Sequence, residues 1–228
     1  MFSGQKGSLR RIFASVILIL SLFTLALLSS LKKSQLSSLA NIQAPDNIAS
    51  SLGSDSARAV YRSRNSAINI MSVSEDGYIS SSSGTYFTVE ERHYVITVGH
   101  GIVGDCTSIR ILSGRAMTEC IEMKVVDTQI DYAIMQVEPI VDREPIRLPR
   151  DYPVGNAWAD QLAIQGTVYY TGYPNGMGPL TFGGEIAGHD RNENIYIHSF
   201  AWPGSSGSGV FSESGKLIGI IIAISVGA

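Results

Sequence analysis

The sequence predicts an all-β domain of the sandwich or barrel type, and three observations carry that expectation. From about Ile68, short runs heavy in Val, Ile, Tyr and Thr alternate with Gly, Ser, Asn and Pro: GTYFTVE, HYVITVG, TSIRIL, IEMKVV, YAIMQV, TVYYTGY, NIYIHSF and KLIGIIIAI. Short β-rich runs punctuated in this way mark sandwiches and barrels. Helical spacing of apolar residues is scarce, although 228 residues at 44% apolar composition supply material for a real core. A Pro- and Arg-rich connection, Pro139 to Pro153, divides the β-rich part into lobes of about 67–145 and 150–228.

Ahead of this domain lie two segments of different character. Ile12 to Leu31 is a run of 20 residues without a charge, about what a hydrocarbon core of roughly 30 Å requires. Residues 1–33 are therefore predicted to hold an N-terminal transmembrane helix. A secretory signal has a shorter apolar region, about 7 to 15 residues, so the length favours an uncleaved signal-anchor. Ser38-Leu39-Ala40 offers a cleavage site for the alternative, a cleaved signal and a secreted domain. Lys6, Arg10 and Arg11 precede the run, and Lys32 and Lys33 follow it. That bias weakly favours a cytoplasmic N-terminus and an extracytoplasmic domain. Residues 34–66, rich in Ser, Asn and Ala with Pro45 and Gly53, read as a tether.

Charge excludes one class of partner. The net charge of −3 conceals an asymmetry, since no acidic residue precedes Asp46. Setting aside the five basic residues around the apolar run leaves 12 Lys and Arg against 20 Asp and Glu. Nucleic-acid binding lacks its electrostatic footprint. The two cysteines, Cys106 and Cys120, bracket an expected hairpin. A disulfide suits a protein delivered across a membrane, but the even spacing requires a bulge if both are to face each other, and unpaired thiols are the alternative. So few ligands argue against a zinc site.

Three short segments carry chemistry. In Tyr94 to Gly101, YVITVGHG, an apolar strand delivers His100 into a glycine-flanked turn; in Asp131 to Val137, DYAIMQV, an Asp opens a strand; in Pro203 to Val210, PGSSGSGV, a serine sits in a glycine-rich loop between two strand-like runs. Any one of them has an ordinary structural reading: a turn histidine, a turn Asp, a surface loop. Together, with spacings of 31 from His100 to Asp131 and 75 from Asp131 to Ser206, they resemble the trypsin-like serine peptidases, whose triad runs His, Asp, Ser along the chain. The HtrA and V8 (glutamyl endopeptidase) branches are similar in their T-x-x-H turn, D-x-A strand start and G-x-S-G loop. Gly172-Tyr173-Pro174-Asn175-Gly176 and Thr181 to Gly188 add to that likeness, which covers roughly Ile68 to Ala228. The resemblance implies two antiparallel six-stranded β-barrels, chymotrypsin-like, over 67–228. It implies a serine endopeptidase acting on protein or peptide substrates, with no metal or organic cofactor. A catalytically silent binding domain of the same fold and a viral polyprotein-processing protease are the alternatives.

The residue types suit those roles on physical grounds. A serine hydroxyl is a poor nucleophile and needs a base near neutrality, which His100 supplies to Ser206. The imidazole needs a carboxylate at its other nitrogen, and Asp131 fills that place. A developing oxyanion needs donors already aimed, and the N–H groups of Gly204 and Ser206 in the glycine-rich turn are the natural pair. The rivals are weaker. His93 and His189 sit in polar turns and are expected to be solvated; Asp105 and Asp127 lack the D-x-A pattern; Ser205 and Ser208 fall outside the G-x-S-G register.

Departures from the family pattern bear on specificity. Ser205 stands where many relatives carry the Asp that receives a freed N-terminal amine, so activation by that route is absent. The resemblance assigns substrate contact to His198, Phe200, Ala201 and Ile222. Phe200, six residues before Ser206, replaces the Asp that would hold a basic side chain, and the strand expected from Leu217 to Ile224 is almost wholly apolar. An apolar or small polar side chain is the expected guest, unless His198 turns to meet an acidic one. The sequence ends at Ala228, just past that strand, so the pocket wall is expected to be either open or covered by a partner or membrane.

Overall fold

The computed structural model describes residues 54–114, 116–148, 163–191 and 194–223. The apolar segment within 1–33, the tether as far as residue 53 and residues 149–153 of the interlobe connection lie outside the described residues. Among the described residues no helix is long and apolar enough to cross a membrane.

The first sheet contains β1 (Ala67–Val73), β2 (Ile79–Val89), β3 (Arg92–Thr97), β4 (Ile109–Ser113), β5 (Ala116–Asp127), β6 (Tyr132–Val137) and β7 (Ile146–Arg147). Their order is β1-β4-β5-β6-β3-β2-β7, and β1 also pairs with β2, which closes six strands into a barrel. Alternation drives this: in β6 every second residue, Ala133, Met135 and Val137, is buried, and β4 turns Ile109 and Ile111 to the same core. Strand β5 runs well beyond the expected IEMKVV segment because its first residues, Ala116 to Glu119, pair with β4, and bulges after Cys120 and Met123 then carry it along β6. Within the barrel, β2 outruns β3 at one end. Strand β3 pairs with β2 from Thr85 to Val89 only, and Ile79 to Gly84 continue past it along β1.

The second sheet contains β8 (Thr167–Gly172), β9 (Leu180–His189), β10 (Ile195–Ser199), β11 (Gly209–Ser212) and β12 (Leu217–Ile220), all antiparallel in the order β10-β9-β8-β11-β12. It is a five-stranded half-barrel, which corrects the expectation of a second six-stranded barrel. Among the described residues no sixth strand joins β12 to β10, so the sheet stays open. The strand expected to run from Leu217 to Ile224 also stops at Ile220. There the backbone of Ile221 leaves the sheet, accepts from Gly207 N–H at 2.7 Å and donates to Ser208 O at 2.9 Å.

A helix, α1 (Ser54–Ser66), occupies the end of the segment expected to be a tether. Its buried face is Ala59, Val60, Ser63 and Ser66, a helical spacing made mostly of small residues. Small side chains let the helix lie close on the second sheet. Ser63 Oγ donates to Thr171 Oγ1 at 2.7 Å and Ser66 Oγ to Arg62 O at 2.8 Å, so the buried hydroxyls are satisfied. Arg62 reaches Gly215 O at 2.7 Å, and Arg64 reaches Thr181 Oγ1 at 2.8 Å. Ala59 then joins Phe87, Ile146 and Phe211 in an apolar cluster drawn from both sheets.

Cys106 and Cys120 form a disulfide with Cα atoms 5.1 Å apart. Cys106 is not on a strand but in the 3-10 turn Cys106–Ser108 that precedes β4, so strand parity does not restrict the pairing. Closing a loop of this size stabilises the folded chain by about 3 kcal/mol.

Candidate active site

Strand β3 ends at Thr97, and the chain then makes a 3-10 turn, Gly99–Gly101, that carries His100 out to solvent. Asp131 comes from the turn between β5 and β6, in the left-handed region at φ 63°, where Asp is among the few tolerated side chains. That conformation lets both carboxylate oxygens reach one residue. Oδ1 accepts the backbone N–H of His100 at 2.8 Å and Oδ2 lies 2.7 Å from His100 Nδ1. A carboxylate only accepts, so the neutral imidazole keeps its proton on Nδ1 and presents Nε2 as a base. The imidazole side chain is 55% exposed and the carboxylate 30%.

The serine loop is built from hydrogen bonds rather than side-chain bulk. Ser205 closes a turn by donating its N–H to Trp202 O at 2.9 Å, while its hydroxyl accepts from Trp202 N–H at 3.3 Å. Ser205 and Ser208 are fully buried, and Ser206 between them is half-buried. The Ser206 carbonyl accepts from Ser83 N–H on β2 at 2.8 Å. That bond uses the stretch of β2 left free where β3 departs toward His100, which brings the second lobe's serine to the same seam as the first lobe's histidine. Gly207 has φ +89°, and a Cβ there would sit 1.9 Å from Ser83 O, so only glycine permits the approach. The N–H groups of Ser205, Gly207 and Ser208 are all donated within the domain. Those of Gly204 and Ser206 meet no acceptor among the described residues.

The profile of the trypsin-like peptidase domain matches residues 82–220, a stretch that holds His100, Asp131 and Ser206. The chain belongs to the trypsin-like peptidase family. No curated protein matches it in sequence. Among solved structures, the serine endoprotease from Yersinia pestis is similar with TM-score 0.57 and 20% identity, over 72% of this chain and 55% of that one. This chain thus spans little more than half of that protein. The Rv3671c protease from M. tuberculosis, in its active form, is similar with TM-score 0.55 and 16% identity, over 74% of each chain. At such identities the likeness speaks for the fold.

Within this trypsin-like peptidase the rival residues have other occupations. Asp127 accepts from the N–H groups of Gln129 and Ile130 at 2.8 and 2.9 Å, capping the turn before Asp131. Asp105 caps the 3-10 turn through Thr107, whose hydroxyl and N–H hold its carboxyl below the usual range. His93, expected to be solvated, is instead half-buried and stacked on Tyr86, with its Nδ1 on the phenol oxygen. His189 ends β9 in an exposed position. Of the residues assigned to substrate contact, His198 shares the outward face of β10 with Tyr196, and Phe200 is exposed just past the strand's end. Phe200 is 57% exposed and forms a ridge with Trp202 at 4.9 Å and Phe182 at 6.0 Å between ring centroids. Ala201 packs against the second core, and Ile222 is half-buried beside Ile221. Two contributors escaped sequence reasoning: Ser83, in a serine run that does not look like a strand, and Trp202 in the ridge.

Proposed function

We propose that this chain is a serine endopeptidase that hydrolyses peptide bonds through an acyl-enzyme on Ser206. The two-point grip of Asp131 on His100, at 2.8 and 2.7 Å, carries the reading. It fixes both the orientation of the imidazole and the nitrogen that bears its proton. Ser206 Oγ attacks the scissile carbonyl carbon as its proton passes to His100 Nε2, and Asp131 steadies the imidazolium. The N–H groups of Gly204 and Ser206 receive the negative charge that develops on the carbonyl oxygen. The carbon–nitrogen bond then breaks, the amine leaves with the proton from Nε2, and a water attacks the ester. That water gives its proton to His100, and the acid departs as the proton returns to Ser206. A fluorophosphonate probe tests the reading, since only an activated serine reacts with it. The adduct is expected on Ser206; a full chain that takes no label would instead favour a binding domain built on the same fold.

The aromatic ridge beside the serine loop supports a preference for apolar side chains before the scissile bond. A charged side chain laid against Phe200 and Trp202 loses water and gains no counter-charge. Since each 1.36 kcal/mol is tenfold in rate, peptides with Lys, Arg, Asp or Glu at that position are expected to be cut at least about 10²-fold more slowly than those with Leu, Phe, Ala or Thr. Profiling a peptide library by mass spectrometry decides it. Dominant cleavage after Glu would overturn the preference and implicate His198, and His198→Ala should then erase it.

A further inference from the structure

The two N–H groups proposed to receive the oxyanion are aimed by bonds that neither of them makes. A trans peptide holds its C=O and N–H in opposite directions, so whatever anchors the carbonyl also aims the amide. The Gly204 N–H shares a peptide with Pro203 C=O, which accepts from Asn175 N–H at 2.8 Å. The Ser206 N–H shares one with Ser205 C=O, which accepts from Ser208 N–H at 3.1 Å. Asn175 lies in the 3-10 turn after β8 in the left-handed region at φ 53°, so something must hold that turn against the serine loop.

Ser83 meets this need. Its hydroxyl accepts from Tyr173 N–H, at the start of the turn, at 2.8 Å, and donates to Gly204 C=O, in the loop, at 2.7 Å. Its own N–H donates to Ser206 C=O at 2.8 Å, and its C=O accepts from Thr97 Oγ1 at 2.7 Å. The four successive carbonyls from Pro203 to Ser206 are therefore all engaged, two of them by Ser83 alone. Ser83 is fully buried, and Gly172 packs so closely that a Cβ there would lie 2.7 Å from its hydroxyl. The hydroxyl has nowhere else to turn. Ser83 belongs to the closed barrel, and its full burial keeps it out of reach of a substrate.

We infer that Ser83 is a positioning residue for the proposed hydrolysis: its hydroxyl clamps the Tyr173–Gly176 turn to the serine loop and so keeps the Gly204 and Ser206 amides aimed at the developing oxyanion. The inference rests on the reading of Ser206 as nucleophile. In Ser83→Ala the loop keeps its backbone bonds but loses the clamp. Losing a whole oxyanion donor costs about 10² to 10³ in kcat, and a misaimed pair should cost less, about 10- to 100-fold. The substrate's ground state does not use these amides fully, so KM should hardly move. Full-chain Ser83→Ala is therefore expected to show that fall in kcat with KM unchanged, and fluorophosphonate labelling slowed by a similar factor. Parental kcat, or a rise in KM at constant kcat, would overturn the inference. If Ser83→Ala does not fold, Ser83→Cys, which keeps a weaker donor of similar size, decides on the same two outcomes. The two readings fail separately. A parent that takes no label removes the nucleophile and this inference with it, whereas a labelled parent matched in rate by Ser83→Ala removes the inference alone.

Discussion

Ser206→Ala and His100→Ala are each expected to lower kcat/KM on the order of 10⁴-fold or more, while the unfolding midpoint stays near that of the parent. Nucleophile and base work as one unit, so losing either forfeits nearly everything the pair supplies, and the double variant should be little worse than the singles. The fold should tolerate both changes. His100 stands in solvent, and the bond from Ser83 N–H to the Ser206 carbonyl involves only backbone. The neighbouring hydroxyls offer no substitute, since Ser205 and Ser208 are fully buried and Ser205 is occupied in closing its turn. Steady-state hydrolysis of a peptide substrate alongside thermal unfolding checks both halves. Near-parental hydrolysis by Ser206→Ala would show that the register of the serine loop has been misread.

The first lobe and the three chemical segments were legible because each followed a local rule. Short runs rich in Val, Ile and Tyr marked β3, β4 and β6, and glycines marked the turns that carry His100 and Ser206. Where the structure departed from expectation, a different rule had taken over. Helix α1 escaped because its buried face is Ala59, Val60, Ser63 and Ser66; mostly small residues carry little hydrophobic period, and their value lies in close approach to a surface supplied by the distant β8 and β11. The first half of β2 escaped for a related reason. Its serines look like a linker, yet Ser82, Ser83 and Thr85 are buried: Ser82 Oγ meets Thr97 Oγ1 on β3, while the hydroxyls of Ser83 and Thr85 bond across the seam to the Gly204 and Gly207 carbonyls. A polar strand of that kind is favourable only when its partners are already in place, and the partners of Ser83 and Thr85 across the seam lie 90 to 122 residues away. The available signal was position: four serines running directly into GTYFTVE, with no turn residue before Gly84 to end the strand. Strand β12 stops short of the expected Ile224 because the backbone of Ile221 bonds to the serine loop at Gly207 and Ser208.

Asp131→Asn should lower kcat by about 10⁴-fold and leave KM nearly unchanged, and the reason is a conflict of donors. Asp131 accepts two N–H groups at once, the backbone N–H of His100 on Oδ1 and Nδ1–H on Oδ2. An asparagine of the same shape has one oxygen and one amino group. The backbone N–H cannot change its role, so the amide oxygen stays with it and the amino group turns toward Nδ1. Nδ1 must then accept, the imidazole proton moves to Nε2, and the nitrogen that should take the Ser206 proton is already protonated. Binding involves neither atom, which is why KM is spared. Nitrogen-15 spectra of His100 give a readout independent of rate: neutral parent protein should carry its proton on Nδ1, and the variant on Nε2. Parental kcat with the Nε2–H form present would mean that His100 is not the base; a fall in kcat with the Nδ1–H form retained would mean that Asp131 acts through the charge it lends the imidazolium rather than through the tautomer it selects.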